Sequence, residues 1–268
     1  MLCDYHVHST LCDGKNTLKE NIETAIQKGM NVIGFSGHSF VPNVKYCMSH
    51  DVEDRYFNEI LSLKSEYRDK ITILCGIEKD FFSPTNEDKF DYIIGSVHYV
   101  FFHGRFHEID CSPKNTQTTI DEYFSSDPLK YCETYYETVA DLFCNVKADI
   151  IGHFDLLTKF SERGVLSDLS SVRYRNAWTD AVDSLLKYNA PFEVNTGAMA
   201  RGYRTSPYPS PEILRYIAGK GGKIILSSDS HDASKLCFEF DKAKEIASMC
   251  GFKSRIIITE NGMEEIGL

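Results

Sequence analysis

The strongest constraint on the fold is a recurring pairing in which a short apolar run ends and a metal-ligating residue type follows. His6 and His8 close Asp4-Tyr5-His6-Val7-His8-Ser9, and His38 follows the run from Asn31 to Gly37. His98 ends Tyr92 to Val97, His153 ends Asp149 to Gly152, and His231 ends Ile224 to Ser230. Six of the nine histidines sit at such ends, and Glu78 and Asp229 hold the same kind of position. Packing alone gives no reason for ligand types to recur there. One polynuclear metal centre does, provided that the strand ends meet.

Between these runs the pattern is helical. Leu2 to Val7 reads as a first strand. Thr17-Leu18-Lys19-Glu20 has the form of a capping box, with Leu18, Ile22, Ala25 and Ile26 on one face and Gly29 as a stop. Further strands are predicted over 32–36, 71–77, 91–97, 149–152, 191–194, 223–227 and 255–259. Helices are predicted over 51–67, 128–146, 169–188 and 235–250, with another starting at Ser210-Pro211-Glu212. Tyr99 to Phe106 reads as a hairpin around Gly104. Seven or eight β-α units with near-continuous apolar strands predict an α/β fold, a parallel barrel in one domain over residues 1–268. An open doubly wound sheet would spread its strand ends along a line. A barrel gathers them at its C-terminal mouth, where such folds place their sites.

The bulk properties exclude several classes. The formal charge is −10, and no basic run or aromatic-basic interleaving appears, which opposes nucleic-acid binding. No apolar stretch reaches spanning length, so no membrane partner is expected. The first residues lack the basic and long apolar regions of a signal peptide. Nine cysteines without a Cys-x-x-Cys pair read as reduced thiols in the cytoplasm.

Side chains alternate along a strand, so His6 and His8 point the same way. Asp13 follows in the turn-like Leu11-Cys12-Asp13-Gly14, and Asp229 and His231 again stand two apart. Taken singly, each of these residues reads as a turn aspartate, a strand-end carboxylate or a satisfied structural histidine. Together they make six imidazoles and three carboxylates, a mixed set that suits Zn²⁺, Mn²⁺ or Fe²⁺ better than Mg²⁺ or Ca²⁺. Nine ligands suffice for three divalent ions at three each. The resulting excess positive charge suits a phosphate group.

His6-Val7-His8, Asp13-Gly14, His38, Gly76-Ile77-Glu78, His98, His153 and Asp229-Ser230-His231 resemble, in order, the motif series of the PHP (polymerase and histidinol phosphatase) superfamily. The resemblance implies a distorted (β/α)7 barrel with a trinuclear centre. It implies that His6, His8, Glu78 and Asp229 hold one ion, that Glu78 bridges to a second held by His98 and His153, and that Asp13, His38 and His231 hold the third. One departure is Ser36-Gly37 before His38, where the family often has an acidic residue.

The stretch from Glu193 to Gly202, followed by Pro207-Tyr208-Pro209-Ser210, is similar to that of monofunctional histidinol-phosphate phosphatases. This implies hydrolysis of L-histidinol phosphate, a small-molecule phosphate ester, by attack of a metal-bridging hydroxide. Arg201 and Arg204 are then the candidate phosphate clamps, Arg201 the better placed to stabilise the transition state. Asp229 and a metal-bound water are the candidate proton donors to the leaving group, and Glu108, Asp110 and Asp155 are equivalent candidates for the substrate's ammonium. Competing readings are a phosphoesterase for another phosphomonoester or nucleotide, a non-catalytic metal-binding module, and an amidohydrolase. His50 is expected in solvent, and His103 and His107 beside the pocket.

Overall fold

Seven short parallel strands set the positions of everything else. The computed structural model describes residues 1–268. The parallel strands are β1 (Cys3–Asp4), β2 (Val32–Phe35), β3 (Thr72–Asp80), β4 (Tyr92–Ser96), β7 (Ile150–Ile151), β8 (Phe192–Asn195) and β9 (Ile224–Ser227). They neighbour one another in that order. An isolated parallel bridge between Val7 and Ser230 then joins the last to the first. Its hydrogen bonds run from His8 N to Ser230 O and from Ser230 N to His6 O, both 2.8 Å. The result is the parallel α/β arrangement that the sequence pattern predicts, in keeping with the distorted seven-stranded barrel that the family resemblance implies. The predicted eighth strand, β10 (Ser254–Thr259), meets β9 through Ile256 and Ile225. It then folds back antiparallel onto β11 (Gly262–Gly267).

Two apolar clusters follow from the alternation of side chains along the strands. The inner one fills the barrel with Cys3, Tyr5, Val32, Leu74, Tyr92, Ile94, Ile150 and Ile225. The outer one joins the other strand faces, such as Ile33, Phe35, Ile73 and Ile93, to the surrounding helices. Tyr92 lies across the interior and donates its hydroxyl proton to the Tyr5 carbonyl at 2.5 Å. Gly34 and Gly76 leave the room for its ring, which a Cβ on either would overlap.

The helices are α1 (Leu18–Gln27), α2 (His50–Tyr67), α3 (Pro113–Tyr123), α4 (Pro128–Ala140), α5 (Leu142–Asn145), α6 (Val172–Leu185), α7 (Gly197–Ala200), α8 (Pro211–Gly219) and α9 (Phe240–Met249). Both halves of the Thr17/Glu20 capping box form at the start of α1. The predicted hairpin is β5 (Tyr99–Phe102) and β6 (Arg105–Glu108), turning at Gly104 with φ +75°.

Some boundaries differ from the prediction. The helix expected over 128–146 breaks at Asp141 into α4 and α5. The one expected from 235 starts at Phe240, because Cys237 and Glu239 adopt left-handed backbone. Three elements have no counterpart in the prediction: the single-turn α7, α3 and β11. The buried face of α3 is Thr116, Thr119 and Ile120, too polar for an apolar stripe, and β11 is a largely exposed Gly-Met-Glu-Glu-Ile-Gly edge.

Candidate metal centre

The strand ends bring all nine expected ligand residues to one mouth of the barrel. The first strand breaks after Asp4, resumes at Val7, and turns His6 and His8 inward while Val7 joins the outer core. Strand β3 runs three residues further than the sequence predicts. Backbone hydrogen bonds from Ser39 N to Glu78 O and from Glu78 N to Gly37 O place Glu78 beside His38. Asp229 has φ +48°, left-handed backbone that a non-glycine residue rarely adopts. Its neighbour Ser228 is held by the buried carboxylate of Asp4, which accepts from both the Ser228 N–H at 2.9 Å and its hydroxyl.

Glu78 is the hub. Its Oε1 lies 2.9 Å from His153 Nε2 and 3.2 Å from His98 Nε2. Its Oε2 faces the other way, 2.9 Å from His38 Nδ1, 3.2 Å from His6 Nε2 and 3.6 Å from His8 Nε2. Asp229 Oδ1 adds a fourth donor on that side, 3.5 Å from His8 Nε2 and 3.9 Å from His6 Nε2. At the rim, Asp13 Oδ2 lies 3.1 Å from His231 Nε2 and 3.6 Å from His38 Nε2.

These residues fit metal ions on three observations. The buried atoms His6 Nε2 and His8 Nε2 make no hydrogen bond, a costly arrangement unless something else satisfies them. Both converge with Glu78 Oε2 and Asp229 Oδ1. Their spacing matches the ~3.4 Å between ligands placed ~2.1 Å from a tetrahedral ion.

The electrostatics agree. Burial would raise the Glu78 carboxyl, but His6, His38 and His98 outweigh it and hold the group well below the usual carboxylate range. Asp229 behaves likewise, with Arg201 the largest opposing influence. Burial, reinforced by His231 and His38, lowers the His8 ring to about 3.

Outer partners orient several of these groups. Glu193, fully buried on β8, receives His6 Nδ1 at 2.6 Å on Oε1. Its Oε2 accepts the His153 N–H at 2.7 Å and the Asn195 amide at 2.9 Å. A carboxylate fixing the far nitrogen of a ligand-type histidine is a common tuning device of metal sites. Asp80 does the same for His98, with Oδ2 3.2 Å from Nδ1. Sequence reasoning missed both roles. The signal available for Glu193 was a carboxylate inside the apolar run Phe192-Glu193-Val194.

A cavity of about 340 Å³ opens over the cluster. Its floor is the metal-facing side, and its outer wall is Tyr46, Glu108, Asp110, Cys111, Leu156 and Lys159. Arg201 lines it and donates to Asp229 Oδ2 at 2.9 Å and to the Asp229 carbonyl at 3.1 Å. Arg204 corrects the expectation of a second phosphate clamp. It is buried away from the cavity, paired with Asp155 Oδ2 at 3.5 Å and stacked 4.4 Å over Tyr208. Asp155 uses Oδ2 for that pair and for the Ser210 N–H and does not line the cavity, so it leaves the set of ammonium candidates. His50 is exposed on α2, as expected. His103 and His107 belong to the hairpin and line no part of the cavity.

The profile of the PHP domain matches residues 4–197, most of the chain and most of these ligand types. The chain belongs to the PHP domain family. Relatives of this PHP chain include a Schizosaccharomyces pombe protein named "Probable histidinol-phosphatase", 27% identical over 94% of this chain and 88% of its own. The histidinol-phosphatase of Bacillus subtilis is 24% identical, covering 89% and 96%. Among solved structures, histidinol phosphate phosphatase of Lactococcus lactis, complexed with zinc, L-histidinol and phosphate, superposes with a TM-score of 0.67. It is 20% identical and covers 98% of both chains, and supports the fold. Divalent-metal binding fits this PHP barrel's donor set.

Proposed function

We propose that this chain is a metal-dependent phosphatase that hydrolyses L-histidinol phosphate to L-histidinol and phosphate. The observation that carries the metal-dependent chemistry is the convergence of unpartnered, buried His6 Nε2 and His8 Nε2 on Glu78 and Asp229 at the floor of a small-molecule cavity. The substrate follows from relatives of that name spanning nearly the whole chain.

Three divalent ions fit the donors. His6, His8, Glu78 and Asp229 would hold the first, Glu78, His98 and His153 the second, and Asp13, His38 and His231 the third. Zinc, manganese and iron all suit this nitrogen-oxygen set. When bound, the ions supply charge for the phosphate oxygens and a nucleophile at neutral pH.

The chain's own groups do the rest. Arg201 lines the cavity, and its guanidinium, anchored on Asp229 Oδ2, can share that pairing with a phosphate oxygen. Lys159 Nζ, 2.9 Å from Asp110 Oδ2, adds a second cation to the wall. Burial would raise the Asp229 carboxyl, but Arg201 and His6 outweigh it and hold the group ionised, the form in which it can accept a proton. Glu193 and Asp80 keep the His6 and His98 rings oriented with Nε2 inward. The nine free cysteines fit a single-domain enzyme of the reducing cytoplasm.

The test is phosphate release by zinc- or manganese-loaded protein from histidinol phosphate, nucleoside monophosphates and an aryl phosphate. The expected preference in kcat/KM for histidinol phosphate is about a hundredfold or more, the range that polar-group recognition supplies. A nucleotide or other phosphomonoester turned over better than histidinol phosphate would overturn the assignment.

A further inference from the structure

The cavity over the metal cluster has two chemically opposed ends. Its floor is built to receive an anion. Its outer wall carries two carboxylates, Glu108 and Asp110, and one ammonium, Lys159. Asp110 is neutralised there: Lys159 Nζ lies 2.9 Å from both its carbonyl oxygen and its Oδ2. Glu108 is left over. It makes no ion pair with any residue, and its backbone is fixed opposite Tyr99 at the end of the β5–β6 hairpin.

We infer that Glu108 is the specificity-determining residue that selects phosphate esters carrying an ammonium group, by pairing with that ammonium at the outer wall while the phosphate occupies the floor. The inference rests on the phosphatase reading above and names how its substrate is chosen.

The supporting physics is a matter of what each alternative would leave behind. A half-buried carboxylate that has a thiol neighbour, Cys111, but no ion pair is disfavoured in the empty protein. Burial and the neighbouring Asp110 both raise the Glu108 carboxyl, so a cation placed beside it relieves an existing strain. An ester whose leaving group carries no ammonium would leave Glu108 without a cation over a filled cavity, which is a penalty and not merely a missing contact. Discrimination by an unpaired buried charge is stronger than discrimination by shape. Position supports the choice of Glu108 over its neighbours. Asp155 is consumed by Arg204, and Asp110 by Lys159. Tyr46, beside Glu108 on the wall, is engaged with Tyr99 through their hydroxyls, so neither offers charge.

The experiment compares Glu108→Gln with the unmodified protein, both metal-loaded, on histidinol phosphate, phosphoethanolamine and phenyl phosphate. The first two carry an ammonium and the third does not. The ratio of kcat/KM for each ammonium ester to that for phenyl phosphate is expected to fall about tenfold or more in Glu108→Gln, mainly through KM. That is the loss expected when a charge-assisted hydrogen bond is removed. Glu108→Asp is expected to restore part of the ratio. A ratio unchanged in Glu108→Gln overturns the inference, as does a proportionate loss on all three esters. If the unmodified protein ignores histidinol phosphate yet prefers phosphoethanolamine over phenyl phosphate, and loses that preference in Glu108→Gln, the substrate assignment fails while the role of Glu108 stands.

Discussion

At the scale of single residues, the site depends on groups that never touch the substrate. Glu193 fixes His6 from behind at 2.6 Å and accepts the His153 N–H with its other oxygen. Glu193→Gln removes the charge from both contacts and is expected to weaken metal affinity about 10–100-fold. Competition against a chelator of known affinity checks this, with circular dichroism showing that the variant folds. A variant that binds zinc as tightly as the parent would refute the role. Protons are a second residue-level readout. In the metal-free protein, burial would lower the His98 ring, but Glu78 and Asp80 outweigh it and push it to about 10. Stability from a raised histidine is whole below its unfolded value, about 6.5, and is lost as pH rises through about 10. Near neutrality this ring therefore carries a proton that zinc must displace. Zinc titrations in buffers of different ionisation heat should reveal proton release near pH 7 that fades toward pH 10. Eight of the nine candidate ligand residues were legible in the sequence because each ends an apolar run, and Asp13 because it stands in a turn at its place in the motif order. Glu193 and Asp80 were not, because they act through other side chains, and nothing local distinguishes an orienting carboxylate from a solvated one. Arg204 misled for the mirror reason: a guanidinium in a loop looks free until its buried partner, Asp155, is placed beside it.

At the scale of elements, the strands carry the centre and their interior decides whether it assembles. Tyr92 spans the barrel only because Gly34 and Gly76 present no side chain to it. Gly76→Ala, two residues before Glu78, is expected to destabilise by about 1–3 kcal/mol through overpacking. In a chain of this size that is roughly 2–4 °C of Tm per kcal/mol. Combining it with Tyr92→Leu should cost less than the sum of the single changes, since the clash is removed. An additive double variant would show that the ring is not the obstacle. The strands and most helices were legible from periodicity. Helix α3 and strand β11 were hidden because one buries mostly threonines and the other is largely exposed. The start of α9 was misplaced because the left-handed residues Cys237 and Glu239 carry no glycine to announce them.

At the scale of the whole molecule, ligands drawn from six of the seven barrel strands or their following loops make metal binding a term in global stability. Chelation is expected to lower Tm by several degrees, and added zinc to restore it in a concentration-dependent way. Differential scanning calorimetry of stripped and reloaded protein checks this. An identical Tm in both forms would mean that the barrel stands without its ions. The barrel class was legible because only a closed ring explains why residues so far apart in the chain share one ligand chemistry. The branching of β10 and β11 from β9 was not, since it depends on register and not on composition.

The seam between Val7 and Ser230 bears on how the protein is made. His6 and His8 leave the ribosome more than two hundred residues ahead of Asp229 and His231. The donor set that joins them cannot form before residue 231 has been made. Loading of the ions that need Asp229 or His231 is therefore a late event, and a stalled or truncated product lacking the segment after β9 carries an incomplete donor set, however well its earlier strands have folded.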